Sequence, residues 1–505
     1  MEKTYLSLHS LGKKSSVRKS SKLVKWKGLS QHGVPDCGYL SKCRNCSVSD
    51  DFSCVESEKG FYEYTSFAAL HGITDQEAYL DYKFLGIYFF ASKLFIVYKD
   101  LNTREIKIDY VVGAEKNDYY TCTLGTVNPS DERPRTMILF NEWDGDTNIA
   151  QSSYSPIILV YPDMYYFDLD FKLNQSEHSF NATYFGTDIP KSHDACVYLS
   201  RVFSVSDDKV FATGTTYDDY TLDTADDFSE GHAWVSLASG SSGSDGKLTA
   251  ITTYNGRVLV FKNDYMYEIY NNKNPFRLIE ICKVGTVDKR SVCEVDGKLY
   301  FASADGIYCY SGGIPQKISH CLGDISFSES VGGSYRNRYY LYNSDGLTYI
   351  YNPKNNMFGT ISTTGEGEAE AIVGFTGSAC DEVFFCLMES GVIHEINNVI
   401  PSSREFYFET DIRSFGELDN KRIKEIRFLA YSDNPYHDNA FSVLAGVQEH
   451  TGRFKEIEVF STDSMDRKEY LPVKIMLRGF NGNLHKLRFQ GVGLVKIYHL
   501  EIITD

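Results

Sequence analysis

Between residues 250 and 400 the apolar positions come in short runs, each cut off by a polar pair that is repeatedly Asn-Gly or Asp-Gly. Runs rich in Val, Ile, Tyr and Phe predict β-strands, and the pairs supply the positive φ that two-residue hairpins require. The stretch VCEVDGKLYFASADGIYCYSGG, residues 292–313, reads as short strands closed by turns at Asp296-Gly297 and Asp305-Gly306. Related wording occurs in AITTYNGRVLVFKNDYMYEIY from Ala250, with Asn255-Gly256 at its turn. It returns in GSYRNRYYLYNSDGLTYIYNPKNN from Gly333, which holds Asp345-Gly346, and in GFTGSACDEVFFCLMESGVIHEINN from Gly374. The turns near Asn255, Asp296, Asn337 and Asp381 lie 41, 41 and 44 residues apart, and looser echoes sit near Ser92, Asp163 and Asp208.

A strand-rich repeat of about 40 to 50 residues predicts propeller blades, each a four-stranded antiparallel sheet. Residues 59–404 then hold a β-propeller of about seven blades; a right-handed β-helix, which normally has a shorter period, is the alternative. Helical periodicity is confined to SFAALHGITDQEAYLDY from Ser66. From Glu405 apolar and polar residues alternate with period two, as in EFYFETDIRSFG and NKRIKEIRFLAYSD, which predicts a β-sandwich over residues 405–505. Residues 1–58 fit neither pattern and are expected to form a basic, Cys-containing extended arm. The fold class is all-β.

Composition narrows the function classes. The chain has 505 residues with 37 Tyr and 32 Phe, an aromatic content that suits strands, and a formal net charge of −17. That charge opposes wrapping of nucleic acid through phosphate neutralisation. No apolar run is long enough to span a bilayer, and the opening residues lack the apolar segment of a secretory signal, so synthesis and use without export are expected. Twelve Cys are too dilute for a disulfide framework, and the Asn174 and Asn181 sequons then carry no glycan.

Candidate chemistry is sparse. Cys37, Cys43, Cys46 and Cys54 have one of the two short spacings of a zinc site, so zinc is weighed against free or buried thiols. DGDTN from Asp144 alternates oxygen side chains as calcium loops do but lacks the later Glu, which favours an acidic turn. His232 and His394 are isolated, and no nucleophile elbow, metalloprotease, P-loop or dinucleotide motif occurs. No catalysis and no cofactor are expected. The first 35 residues hold Lys13, Lys14, Arg18, Lys19, Lys22, Lys25 and Lys27 in an otherwise acidic chain. They read either as a solvated tail or as a segment that docks on an acidic partner and orders on assembly, with DNA contact a third option.

LVKWKGLSQHGVPDCGYLSKCRNCSVSDDFSCVESEKGFY resembles the opening of a group of tailed-bacteriophage virion proteins through Gly28, Leu29, Gly38, Leu40, Asn45 and Gly60. Val55-Glu56-Ser57-Glu58 departs from that group's Pro-Arg wording. The segments from Ser200, Gly246, Gly285 and Asn420 are similar to the group in order and spacing, and Arg478, Arg488, Gly491, Gly493, Lys496 and Tyr498 match its closing strands. The group includes propeller proteins of phage tails and necks, among them tail-nozzle and packaged-DNA stabilisation proteins. The resemblance implies a structural virion component in tail, neck or baseplate, assembled in the cytoplasm of a bacterial host. Its partners are then other copies of itself and neighbouring tail or neck proteins, with packaged DNA passing nearby. The rival reading is a host-surface propeller that binds or cleaves carbohydrate, with exposed Tyr and Trp stacking on sugars.

Overall fold

The structure is a computed structural model of the 505-residue chain. It describes residues 19–504 apart from 24, 32–36, 75–77, 132, 140–155, 161–162, 169–170, 185–190, 200, 207, 213–233, 237–247, 271–275, 363–369, 378–382, 398–404, 412–420, 433–439, 448–453, 461–469 and 483–484. The chain divides into two compact units, one of residues 61–353 and 362–400, the other of residues 1–60, 354–361 and 401–505.

In chain order the strands begin with β1 (Lys19–Leu23), β2 (Leu40–Arg44), β3 (Cys46–Val48) and β4 (Cys54–Ser57) of the split unit, followed by β5 (Tyr62–Ser66) of the central one. Antiparallel meanders then follow one another. They are β6 (Tyr82–Phe90), β7 (Lys93–Asp100), β8 (Glu105–Val111) and β9 (Tyr119–Thr126); β10 (Thr136–Leu139), β11 (Pro156–Val160), β12 (Met164–Asp168) and β13 (Thr183–Tyr184). Next come β14 (Asp194–Tyr198), β15 (Arg201–Ser206), β16 (Lys209–Ala212) and β17 (Trp234–Ser236); β18 (Ala250–Tyr254), β19 (Arg257–Phe261), β20 (Met266–Tyr270) and β21 (Arg277–Cys282). The series continues with β22 (Cys293–Val295), β23 (Lys298–Ser303), β24 (Gly306–Tyr310) and β25 (Gln316–Lys317), then β26 (Ser330–Tyr335), β27 (Arg338–Asn343) and β28 (Thr348–Asn352). After β29 (Met357–Ile361), which belongs to the split unit, the last meander is β30 (Ile372–Gly377), β31 (Val383–Met388) and β32 (Val392–Asn397). Its fourth strand is β5, from the other end of the unit: Val392 pairs with Ser66 and Glu395 with Tyr62.

First strands of successive meanders pack on one another, from β6 to β10, β14 and β18, from β22 to β26 and β30, and from β30 back to β6. Between β18 and β22 the step is made by Tyr254, Leu259 and Phe261 against Leu299 and Phe301. This closed radial succession is a β-propeller, and its core consists of separate apolar layers between neighbouring sheets. The second strands are covered on both faces, so they read as continuous apolar runs: β23 and β27 are buried at every position after the first. Each fully buried Phe, such as Phe261 against Phe301 at 5.2 Å, contributes about 2 kcal/mol by removal from water.

Hairpin tips follow the local chemistry. Asn255-Gly256 (φ 49° and 69°) and Asp296-Gly297 (51° and 68°) are two-residue left-handed turns. Arg336-Asn337 (50° and 55°) and Ala91-Ser92 (45° and 64°) make the same turn without glycine. Asp345-Gly346 lies in a longer turn in which Asp345 accepts from the Leu347 amide and Gly346 takes φ 82°. Asp305-Gly306 differs from expectation, because the turn is Ala304-Asp305 and Gly306 opens β24. Gly306 serves close approach instead: a Cβ there would sit 2.6 Å from Ser319 Oγ. The echoes near Asp163 and Asp208 fall on the second hairpin of their sheets, whereas Ser92, Asn255, Asp296 and Asn337 lie on the first. A period-two pattern cannot tell one hairpin of a meander from the next. Of the helix expected from Ser66, the described residues form α1 (Phe67–His71), capped by the Ser66 hydroxyl and stopped at Gly72 (φ 64°), and a 3-10 turn at Ala78–Asp81.

The split unit is completed by β33 (Glu405–Thr410), β34 (Lys421–Ser432), β35 (Ala440–Val447), β36 (Phe454–Phe460), β37 (Tyr470–Gly482), β38 (His485–Val492) and β39 (Val495–Thr504). One sheet runs β2-β33-β38-β35-β36, the other β29-β3-β4-β39-β34-β37 with β1 also on β39. Phe428 of the second meets Phe489 of the first edge-on at 5.3 Å, and Phe408 stacks on Phe489 at 4.8 Å. The described part of residues 1–58 is therefore not a separate arm. Its strands pair with β29, β33 and β39, so the described parts of residues 1–58 and 405–505 belong to one unit.

Candidate functional site

The residues singled out at the two chain ends meet in the split unit. Gly28 lies where a Cβ would come within 2.7 Å of Met357 Cβ and of the Phe358 carbonyl. Gly38 takes φ 86° and donates its amide to Asp411 Oδ2 at 2.7 Å. Leu29 and Leu40 are buried, and Asn45 donates to the Glu405 carbonyl at 2.7 Å. The Ser57 hydroxyl donates to the Gly493 carbonyl and accepts from the Val495 amide, both at 2.8 Å, while Lys496 pairs with Glu56 at 3.0 Å. Arg488 and Lys486 both donate to the buried carboxylate of Glu409. Burial pushes the Glu409 pKa up, but these two cations outweigh it and hold the carboxyl below its ordinary value.

Of the basic cluster, Lys13, Lys14 and Arg18 lie outside the described residues. Lys19 and Lys22 are on β1, opposite Thr504 and Glu501, and Lys22 Nζ is 3.7 Å from Glu501. Lys25 is exposed, and Lys27 sits over the Tyr39 ring at 4.6 Å. Cys43, Cys46 and Cys54 occupy β2, β3 and β4, and Cys37 precedes β2. Burial raises the Cys43 thiol to about 12 and pushes Cys46 and Cys54 up as well. Cys46 donates to the Arg44 and Tyr407 carbonyls at 2.9 and 3.2 Å. Among the described residues no three His, Cys, Asp or Glu gather in a metal-binding group. Asp144 and His232 lie outside the described residues, and His394 is a β32 residue opposite Cys386 and Glu63.

The densest constellation went unnoticed in the sequence. First strands of the propeller sheets line an axial cavity of about 580 Å³, and Lys289 and Arg290, from the turn ahead of β22, enter it from one side. Lys289 Nζ donates to Thr136 Oγ1 at 2.5 Å and to the His193 carbonyl, and stands 3.8 Å from Asp194 Oδ1. Asp194 accepts from Thr136 Oγ1 at 2.7 Å and from the Ile251 amide at 2.9 Å. One carboxylate and one ammonium thus tie β10, β14 and β18 to the turn before β22. Arg290 reaches the opposite way, forked on Asp288 at 2.6 to 3.2 Å and donating to the Val373 carbonyl of β30 at 3.4 Å. Burial lowers the Lys289 pKa to about 8, with Asp194 and Asp288 opposing that shift, whereas Asp288 more than offsets burial at Arg290 and raises its pKa. Arg135, also buried, is lowered to about 10 by desolvation.

A second buried group has catalytic-looking members. His71 Nε2 lies 2.7 Å from Asp109 Oδ2, and Asp109 Oδ1 accepts from Thr121 at 2.6 Å and Tyr98 at 3.1 Å. Nucleophile activation requires the hydroxyl to donate to the imidazole. Here the hydroxyl donates to the carboxylate, and the His71 ring is packed between Phe67 at 4.1 Å and Tyr119 at 3.9 Å. The only sequence signal for the axial group was the Asp-Lys-Arg run ahead of a strand; His71 and Asp109 lie too far apart for any pattern to join them.

No family model and no curated protein matches the chain. Among solved structures, the C-terminal WD40 domain of Sif2 aligns with TM-score 0.36 and 8% identity over 67% of this chain and 99% of that one. The extracellular domain of a one-component system from B. thetaiotaomicron aligns with TM-score 0.42 and 10% identity over 89% of this chain and 62% of that one. These likenesses are too distant to bear on function.

Proposed function

We propose that the protein is a non-enzymatic structural component of a phage or prophage-like particle, in the tail, neck or baseplate. In this reading it has a propeller of about seven blades as a rigid spacer and a β-sandwich as the assembly domain, and copies form a ring or spacer around or next to the DNA channel. The observation that carries the reading is the axial cavity. Its cations are engaged by the chain's own carboxylates, carbonyls and hydroxyl across several sheets, an arrangement that braces the ring. Braces across the axis leave DNA to pass through a ring of copies, where an acidic surface repels the phosphates and lets the duplex slide. The resemblance of both chain ends to virion proteins adds support, since the residues that carry it build one unit.

The test is quantitative mass spectrometry of particles purified from cells that encode the chain. A fixed copy number per particle is expected. Intact particles lacking the protein, or reproducible glycan-array binding lost on mutating one propeller face, would overturn the reading.

A further inference from the structure

Where the first strands of its sheets begin, the propeller holds a further cavity of about 860 Å³. It is walled by the start of β6, the residues leading into β10, β22 and β26, the exits of β27 and β31, and the start of β30. Phe84, Val331, Ile372 and Val373 are buried and give it an apolar floor. Each cation of the lining is matched from within the unit: Arg290 is forked on Asp288, Lys83 lies 3.6 Å from Glu389, and Arg133 lies 3.5 Å from Asp131. One lining carboxylate is left over. Glu329 is exposed, enters no hydrogen bond or ion pair among the described residues, and acts on Arg290 and Tyr342 through its field. Next to it the Ser328 and Ser344 hydroxyls stand 3.2 Å apart. The surrounding face has the same sign. In β19, β23 and β27 the second strand starts on Arg257, Lys298 and Arg338, and the turn at its cavity end carries Asp264, Asp305 and Asp345. All three aspartates are exposed, and only Asp305, 3.4 Å from Lys317, is in an ion pair among the described residues. Acidic groups around the mouth of a low-dielectric cleft focus its field and draw cations into it.

We propose that this cavity binds an aliphatic cation, a primary amine or guanidinium on an apolar stem. The stem lies on the apolar floor, and the head donates to Glu329 and to the Ser328 and Ser344 hydroxyls. The volume is within the roughly 300–1,000 Å³ of small-ligand sites, which are apolar with a few placed polar groups. An anion does not fit, because every lining cation already has a carboxylate of its own. A divalent metal does not fit either, since the described residues gather no group of three acidic, His or Cys ligands. A free polyamine and the lysine of a partner protein present the same chemistry. The inference stands apart from the virion role and does not depend on it.

The test is isothermal titration calorimetry of the full chain with cadaverine and with the blocked peptide acetyl-Gly-Lys-Gly-amide, with glutarate and Mg²⁺ as counter-probes. Glu329→Gln, a near-isosteric change at an exposed position, is compared with Asp324→Asn, an exposed acid of the same loop outside the cavity lining. Circular dichroism checks that both variants are folded. Saturable binding of an amine probe is expected, weakened about tenfold or more by Glu329→Gln and less than about twofold by Asp324→Asn. Tighter binding of the peptide points to a partner's lysine and tighter binding of cadaverine to a free amine, and either upholds the site. Binding of neither amine, equal losses in the two variants, or glutarate or Mg²⁺ binding that Glu329→Gln abolishes would overturn the inference.

Discussion

Lys289 gives the axial brace a pH signature. Its side chain is 13% exposed, and burial takes its pKa from the ordinary 10.5 to about 8, even with Asp194 and Asp288 nearby. Between those values the unfolded chain holds a proton that the folded chain has released, so stability rises with pH across this window. The direction follows from a depressed lysine: the folded state carries a penalty for the charged amine that is complete below about pH 8 and disappears above 10.5. The shift corresponds to about 3 kcal/mol in full, of which roughly 2 kcal/mol falls between about pH 7.5 and about pH 10. Lys289→Met keeps the length of the side chain and removes the titration. Urea unfolding of both proteins at the two pH values isolates the contribution, since tyrosine and other lysine titrations are common to both. The wild type should gain about 2 kcal/mol more than the variant on going to the higher pH. Equal gains in the two proteins would refute the assignment of Lys289 as a desolvated strut.

Two further outcomes follow from contacts between elements. Tyr254 donates its hydroxyl to the Gly297 carbonyl at 2.7 Å, and Tyr198 does the same to Gly256 at 2.6 Å, so the last residue of a first strand stitches the next hairpin tip. Tyr254→Phe should cost about 1 kcal/mol in urea unfolding without changing strand content; no loss would show the stitch to be idle. Gly28→Ala should destabilise the split unit by about 1 to 3 kcal/mol, because its methyl meets Met357 Cβ and the Phe358 carbonyl at 2.7 Å. Amide exchange around β29 and at Leu29, whose amide donates to the Phe358 carbonyl at 2.8 Å, should quicken, and unchanged protection would contradict the close packing.

What could be read in the chain was local. Asn255-Gly256 and Asp296-Gly297 announce their hairpins because positive φ is a property of those two residues, and the strands between them follow from runs such as RVLVF and KLYFAS. Arg336-Asn337 and Ala91-Ser92 make the same turn against local preference, held by the strands on either side, and Gly306 serves close approach where a turn was expected. The Cys-rich opening looked like an independent arm because its strands are short and its partners stand at the other end of the chain.

By itself, then, the sequence determined an all-β chain, a repeat near 40 residues and most places where the chain reverses, since each depends on a few neighbouring residues. Tertiary structure alone decided how the ring closes, by pairing β5 with β32 and bonding Tyr62 to Glu395, 333 positions away. It also decided that Lys289 and Arg290 would brace the axis, and that both chain ends would share one unit. Those outcomes depend on edges and buried charges finding partners once the sheets have packed. Buried backbone groups and buried ions are costly to leave without partners, and no local pattern encodes which distant residue will satisfy them.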